Sequence, residues 1–124
     1  MSHTYSESTG IWTYPDGTTA QGFSGNNEIG QDMNNPDAEF IKNHGPIVQG
    51  WYTIQGPFDD PYLGKVVFKL VPDADNDMEG RGGFCVHGAE FAHPELSSDG
   101  CVILGLPYRQ AIADSGDTRL QVVA

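Results

Sequence analysis

Cys101 and His87 are the residues whose types and spacing could support chemistry. His87-Gly88 ends a short apolar run that starts at Phe84-Cys85-Val86. After a polar loop, Ser98-Asp99-Gly100-Cys101 opens a second run, Val102-Ile103-Leu104. A thiol needs a base to become a thiolate at neutral pH, and an imidazole supplies one. Gly100 permits a tight turn, so the backbone N–H groups near Gly100 and Cys101 can point at a developing oxyanion. Ser98 can brace that turn or touch a substrate. Gly88 admits close approach of backbone or substrate. Read singly, a Cys ahead of Val-Ile-Leu is equally a small buried hydrophobe. A lone His on a strand is equally a packed residue.

The elements that would position these residues are short. Residues 10–14 (Gly-Ile-Trp-Thr-Tyr) read as a strand, Pro15-Asp16-Gly17 as a turn, and residues 18–24 as a return strand, so a hairpin opens the chain. Residues 1–9 read as a flexible N-terminus, with His3 in a disordered end. Residues 35–44 predict a short helix: Asn35 caps it, Pro36 suits its first turn and Gly45 stops it. Residues 47–54 read as a strand. Gly56-Pro57 breaks it, and residues 58–63 read as a loop. Val66 to Val71 is β-branched and apolar on both faces, the pattern of a central strand. Phe84 to His87, Val102 to Leu104 and Leu120 to Val123 read as further strands, and residues 107–114 as a second short helix. Strand alternation puts Cys85 and His87 on one face and Phe84 and Val86 on the other. The fold class expected is mostly β: a mixed sheet or sandwich with two short helices, forming a single domain over residues 10–124.

Composition narrows the function. The formal charge is −11, with six Lys and Arg among 124 residues. Phosphate backbones and anionic membrane surfaces are repelled by such a chain, so neither nucleic-acid binding nor membrane insertion is expected. No run approaches the ~20 apolar residues of a spanning helix. The first residues carry no basic or apolar signal region, which predicts synthesis in the cytoplasm without a secretory signal. Cys85 and Cys101 are the only two cysteines. A single bridge between them is open, and it would remove the candidate nucleophile.

His87-Gly88 followed by Ser98-Asp99-Gly100-Cys101-Val102 resembles the His-Gly-x(n)-Ser-x-Gly-Cys signature of L,D-transpeptidase catalytic domains of the YkuD-like type. The resemblance extends to Tyr14, to Gly22-Phe23-Ser24-Gly25, and to the run from Gly45-Pro46-Ile47 to Tyr52-Thr53-Ile54. These are similar to a compact branch that includes type VI secretion effectors attacking the peptidoglycan of rival bacteria. Val48 stands where that branch has a second proline, and Asp99 where many transpeptidases have histidine. Val102-Ile103-Leu104 follows the cysteine without the usual arginine. The resemblance implies Cys101 as nucleophile and His87 as base and proton donor. It implies Ser98, Asp99, Gly100 and Gly88 as the oxyanion and substrate side, with a backbone carbonyl orienting the histidine. It implies action on peptidoglycan stem tetrapeptides, as L,D-carboxypeptidase or as L,D-transpeptidase with D-amino-acid exchange. It also implies a secretion-system component and a cognate immunity protein as partners, action in the periplasm of a target bacterium, and no cofactor. The competing class is a non-catalytic peptidoglycan- or protein-binding module on the same fold.

Two metal readings are weaker. Asp73, Asp75, Asp77 and Glu79 alternate as calcium ligands would, but Met78 and Phe84 stand where an EF-hand needs Gly and Glu. Cys85, His87, His93 and Cys101 are zinc-type ligands whose spacing fits no closed site. Trp51, Tyr52, Phe58, Tyr62 and Tyr108 are candidates to line a substrate groove, or simply core.

Overall fold

The structure, a computed structural model, describes residues 1–90 and 93–124; two residues of the polar loop before Ser98 lie outside the described residues. Among the described residues nine strands form one mixed sheet: β1 (His3–Ser6), β2 (Ile11–Thr13), β3 (Thr19–Gln21), β4 (Phe23–Ser24), β5 (Gly50–Asp60), β6 (Gly64–Pro72), β7 (Cys85–His87), β8 (Val102–Ile103) and β9 (Arg119–Val123). Their spatial order is β3-β2-β1-β9-β5-β6-β7-β8-β4. An α-helix, α1 (Leu106–Ser115), joins β8 to β9. The fold is mostly β, as expected, and the sheet is nearly closed. The near-closure has a simple cause. The two edge strands, β3 and β4, are consecutive in the chain, and only Gly22 separates them.

The expected flexible segment over residues 1–9 is corrected. β1 runs parallel to β9, pairing His3 with Leu120 and Tyr5 with Val122, and antiparallel to β2. Its inward stripe is His3 and Tyr5, continued just past its end by Glu7, all fully buried. Trp12 Nε1–H donates to His3 Nδ1 at 2.9 Å, and His3 Nε2 lies 3.1 Å from Ser115 Oγ at the end of α1. That hydroxyl donates to Ile112 O, so Nε2 carries the proton and the ring is neutral. Burial lowers the His3 pKa, in keeping with that state.

The predicted helix over 35–44 shrinks to a 3-10 turn at Pro36–Ala38. Asn35 caps it as expected, accepting from Asp37 N at 3.0 Å. Only Ala38 of that turn is buried, and Phe40 and Ile41 are exposed, so no apolar stripe holds a longer helix to the sheet. Gly56-Pro57 does not end a strand. The β5–β6 pairing continues to Asp60 with register shifts after Gln55 and Phe58, so the dipeptide sits in a bulge. β6 is central as predicted, paired with β5 on one side and β7 on the other. α1 keeps its predicted ends, with Pro107 in its first turn and Gly116 closing it in a left-handed conformation.

Phe68, Leu70, Val86, Val102, Tyr52 and Ile54 meet Trp12, Ile47, Leu104, Ile112 and Leu120 in one core. At about 25 cal/mol per Å² of apolar area removed from water, this cluster is the main stabilising term of the fold. Among the described residues no helix is long and apolar enough to cross a membrane.

Candidate active site

β7 and β8 are parallel neighbours, with Val86 level with Val102 and His87 level with Ile103. Val86 and Val102 face the core at 0 % exposure. Alternation therefore turns Cys85 and His87 to the opposite face, as the sequence predicts, and Cys101, next to Val102, joins them there. The register then decides which of them touch. Cys101 is level with Cys85. His87 stands two residues further along, roughly 7 Å of strand rise away. The Cys85 backbone N–H donates to Cys101 Sγ at 3.2 Å. No hydrogen bond links His87 to Cys101 among the described residues. Each lines its own cavity. Cys101 shares one of about 270 Å³ with Lys42, Arg81, Phe84 and Asp99. His87 shares one of about 230 Å³ with Tyr62, Gly88 and Leu96.

The imidazole is buried and oriented. His87 Nδ1 lies 2.9 Å from the carbonyl oxygen of Gly88. The tautomer that donates there leaves Nε2 with a free lone pair. Burial lowers the His87 pKa, the Gly88 carbonyl opposes this, and Arg109 nearby lowers it further, so the ring is neutral at pH 7. Gly88 is required by Arg109: a Cβ at residue 88 would sit 2.6 Å from Arg109 Nη1. That guanidinium is itself anchored on carbonyls, with Nη1 donating to Leu104 O at 2.6 Å and Nε to Val66 O at 3.1 Å.

The thiols titrate as a pair. Cys101 beside it lowers the Cys85 thiol pKa, while Cys85 and burial raise that of Cys101. Of the two, Cys85 is the readier thiolate.

The loop that presents Cys101 is held from several directions. Ser98, fully buried, accepts from Gly25 N at 2.8 Å and Gly100 N at 3.1 Å, and donates to Cys101 O at 2.5 Å. Ser98 is therefore the turn brace of the two roles expected for it. The Gly100 N–H is spent on Ser98, so of the two expected oxyanion donors only the Cys101 N–H stays a candidate. Ser24 Oγ donates to Gly100 O at 2.9 Å and accepts from Ile47 N at 2.8 Å. Asn26 Nδ2 donates to Ser98 O at 2.9 Å. Gly100 has φ +139°, and a Cβ there would meet the Phe84 ring at 2.5 Å and Arg81 Nη2 at 2.6 Å. Asp99 is exposed, and its carbonyl accepts from Arg81.

Arg81 is the residue that sequence reasoning missed. It is 7 % exposed, and its guanidinium donates to the carbonyls of Glu39, Gly45, Pro46 and Asp99 while lying 5.1 Å over the Phe84 ring. No arginine follows Cys101, but a guanidinium reaches its loop from this side. The signal was faint: one of six cations, in a glycine-rich stretch just before β7.

The remaining candidates separate. Tyr52 is core, with its hydroxyl donating to Val48 O at 2.6 Å. Trp51 lies under Arg119 at 5.3 Å. Tyr62 is exposed and lines the His87 cavity. Phe58 and Tyr108 are exposed away from both cavities. Asp73 of the acidic loop is engaged by Arg119 at 2.7 Å and 2.8 Å. His93 is exposed beside Glu95. Among the described residues no cluster of His, Cys, Asp and Glu is arranged to hold a metal ion.

Fold and site together define a mostly β protein with two thiols and an oriented imidazole on one sheet face. Residues 18–124 match the Tlde1 domain, and the chain belongs to that family of type VI secretion L,D-transpeptidase effectors. Membership carries peptidoglycan-related activity, a secretion-system setting with a cognate immunity protein, and delivery to a target cell. No match was found among curated proteins.

Proposed function

We propose that this chain is a cysteine acyltransferase acting on peptidoglycan stem tetrapeptides at the meso-diaminopimelate–D-alanine bond, with residues 10–124 as one catalytic domain. The observation that carries this is Cys101: a thiol at a cavity wall, on a loop clamped by Ser98, Ser24 and Arg81, with an imidazole on the same sheet face. Cys101 loses its proton, through a bridging group, to His87 Nε2. Its thiolate attacks the carbonyl carbon of the diaminopimelate residue, and the Cys101 N–H supports the oxyanion. The C–N bond breaks, D-alanine leaves as an amine with a proton from His87, and a thioester remains. Water completes L,D-carboxypeptidase action; an amine completes transpeptidation or exchange. Lys42, in the same cavity, offers a counter-charge to the terminal D-alanine carboxylate. The periplasm of a target bacterium is where this substrate is met.

The test is incubation with muropeptides and mass analysis of the products. Cys101→Ala is expected to abolish the loss of D-alanine, by at least about 10³-fold, and Cys85→Ser to retain it. The second reading is a non-catalytic binding module, and the distance between His87 and Cys101 favours it. Intact tetrapeptides that nonetheless bind would establish it.

A further inference from the structure

We propose that Cys85 and Cys101 form a dithiol modification site, in which a low-molecular-weight disulfide oxidises the pair to an intramolecular bridge. The placement of the two residues carries the proposal. Parallel pairing of Val86 with Val102 sets Cys85 and Cys101 directly opposite across neighbouring strands. Neighbouring strands lie about 4.8 Å apart, within the roughly 4.4–6.8 Å between Cα atoms that a disulfide spans. Both side chains leave the sheet on the same face, and the two residues are already in contact, the Cys85 backbone N–H donating to Cys101 Sγ at 3.2 Å.

Access and freedom to adjust are both present. Each cysteine is partly exposed, and Cys101 opens on the cavity it shares with Lys42 and Arg81. Gly82 and Gly83 precede Cys85, and nothing within 4 Å would obstruct a Cβ on either, so that strand end has room to shift. With no third cysteine in the chain, the bridge has one possible pairing.

The chemistry is two thiol–disulfide exchanges. A thiolate of the pair attacks one sulfur of the reagent RSSR, forming a mixed disulfide and expelling RS⁻. The other cysteine, as thiolate, then attacks the protein sulfur of that mixed disulfide, forming the Cys85–Cys101 bond and expelling the second RS⁻. The protein loses two electrons and two protons; the reagent becomes two RSH. A dithiol reductant reverses both steps. On the reading of Cys101 as nucleophile, the bridge switches the enzyme off and shields its thiol from over-oxidation.

Oxidised glutathione tests this on the whole chain. Expected in the wild type are loss of both free thiols, an intact mass lower by two hydrogens, and one peptide pair joined through Cys85 and Cys101. Cys85→Ser and Cys101→Ser should each retain a single glutathione adduct that reductant removes. Two free thiols after exposure, a glutathione adduct persisting on the wild type, or a linked dimer would each overturn the proposal. Thiol counting needs no substrate. A failed bridge therefore leaves the enzymatic reading standing, and a bridge in a protein inactive on muropeptides leaves this one standing.

Discussion

Glu7 is the residue with the largest electrostatic consequence outside the site. It is fully buried, and neither carboxyl oxygen finds a hydrogen-bond partner among the described residues. Burial first, and then the carboxyl of Glu39, raise its pKa to about 9. The folded state therefore keeps a proton that the unfolded chain releases above about 4.5. Its contribution is fully present below that pH and is lost as pH rises through about 9. Denaturant titrations should show stability falling between pH 5 and pH 9, and Glu7→Gln should flatten that slope and raise stability at pH 8. At Arg81, replacement by Lys keeps the charge but loses the fork that reaches carbonyls on separate segments. An expected cost of about 2–4 kcal/mol, read by denaturant unfolding, should come with weaker peptidoglycan activity. Cys101, His87 and Ser98 were legible in the sequence because their side-chain types and glycine neighbours name a chemistry. Arg81, Ser24 and Asn26 were not, because they act on backbone groups, which look alike at every position. The adjacency of Cys85 to Cys101 was also hidden: alternation gives a face, and only the register between strands gives a neighbour.

At the scale of elements, β1 shows where periodicity fails. Its inward stripe, continued past its end by Glu7, is His-Tyr-Glu rather than aliphatic, so polar residue types concealed a buried strand. Its stability comes from pairing with β9 and from the His3–Trp12–Ser115 connection. Deleting residues 1–9 should therefore uncover the β9 edge and strand Trp12 Nε1–H without an acceptor. The expected result is a large drop in melting temperature or failure to fold, measured by circular dichroism. Strands β6 to β8 were legible because their inward residues, Phe68, Leu70, Val86 and Val102, are aliphatic or aromatic. The helix at 35–44 was over-read: its caps were right, but capping signals fix where a helix can start and not whether a face exists to bury it.

For the whole molecule, charge is the dominant global term. Of the six cations, Arg81 and Arg109 are committed to carbonyls and Arg119 to Asp73, which leaves most of the 17 acidic groups unpaired. Their mutual repulsion is screened within about 10 Å at 0.1 M salt. The melting temperature should accordingly rise between 10 and 150 mM sodium chloride, and calorimetry at the two concentrations checks it. The loop that holds Cys101 adds a consequence in time. Its clamps come from Ser24, Gly25 and Asn26, between 72 and 76 residues earlier in the chain. Contacts of such long sequence separation form late, after the loop-closure entropy has been met. During folding, then, Cys101 is an ordinary thiol until residues 24–26 reach the Ser98–Cys101 loop, and the site comes into being only in that late stage.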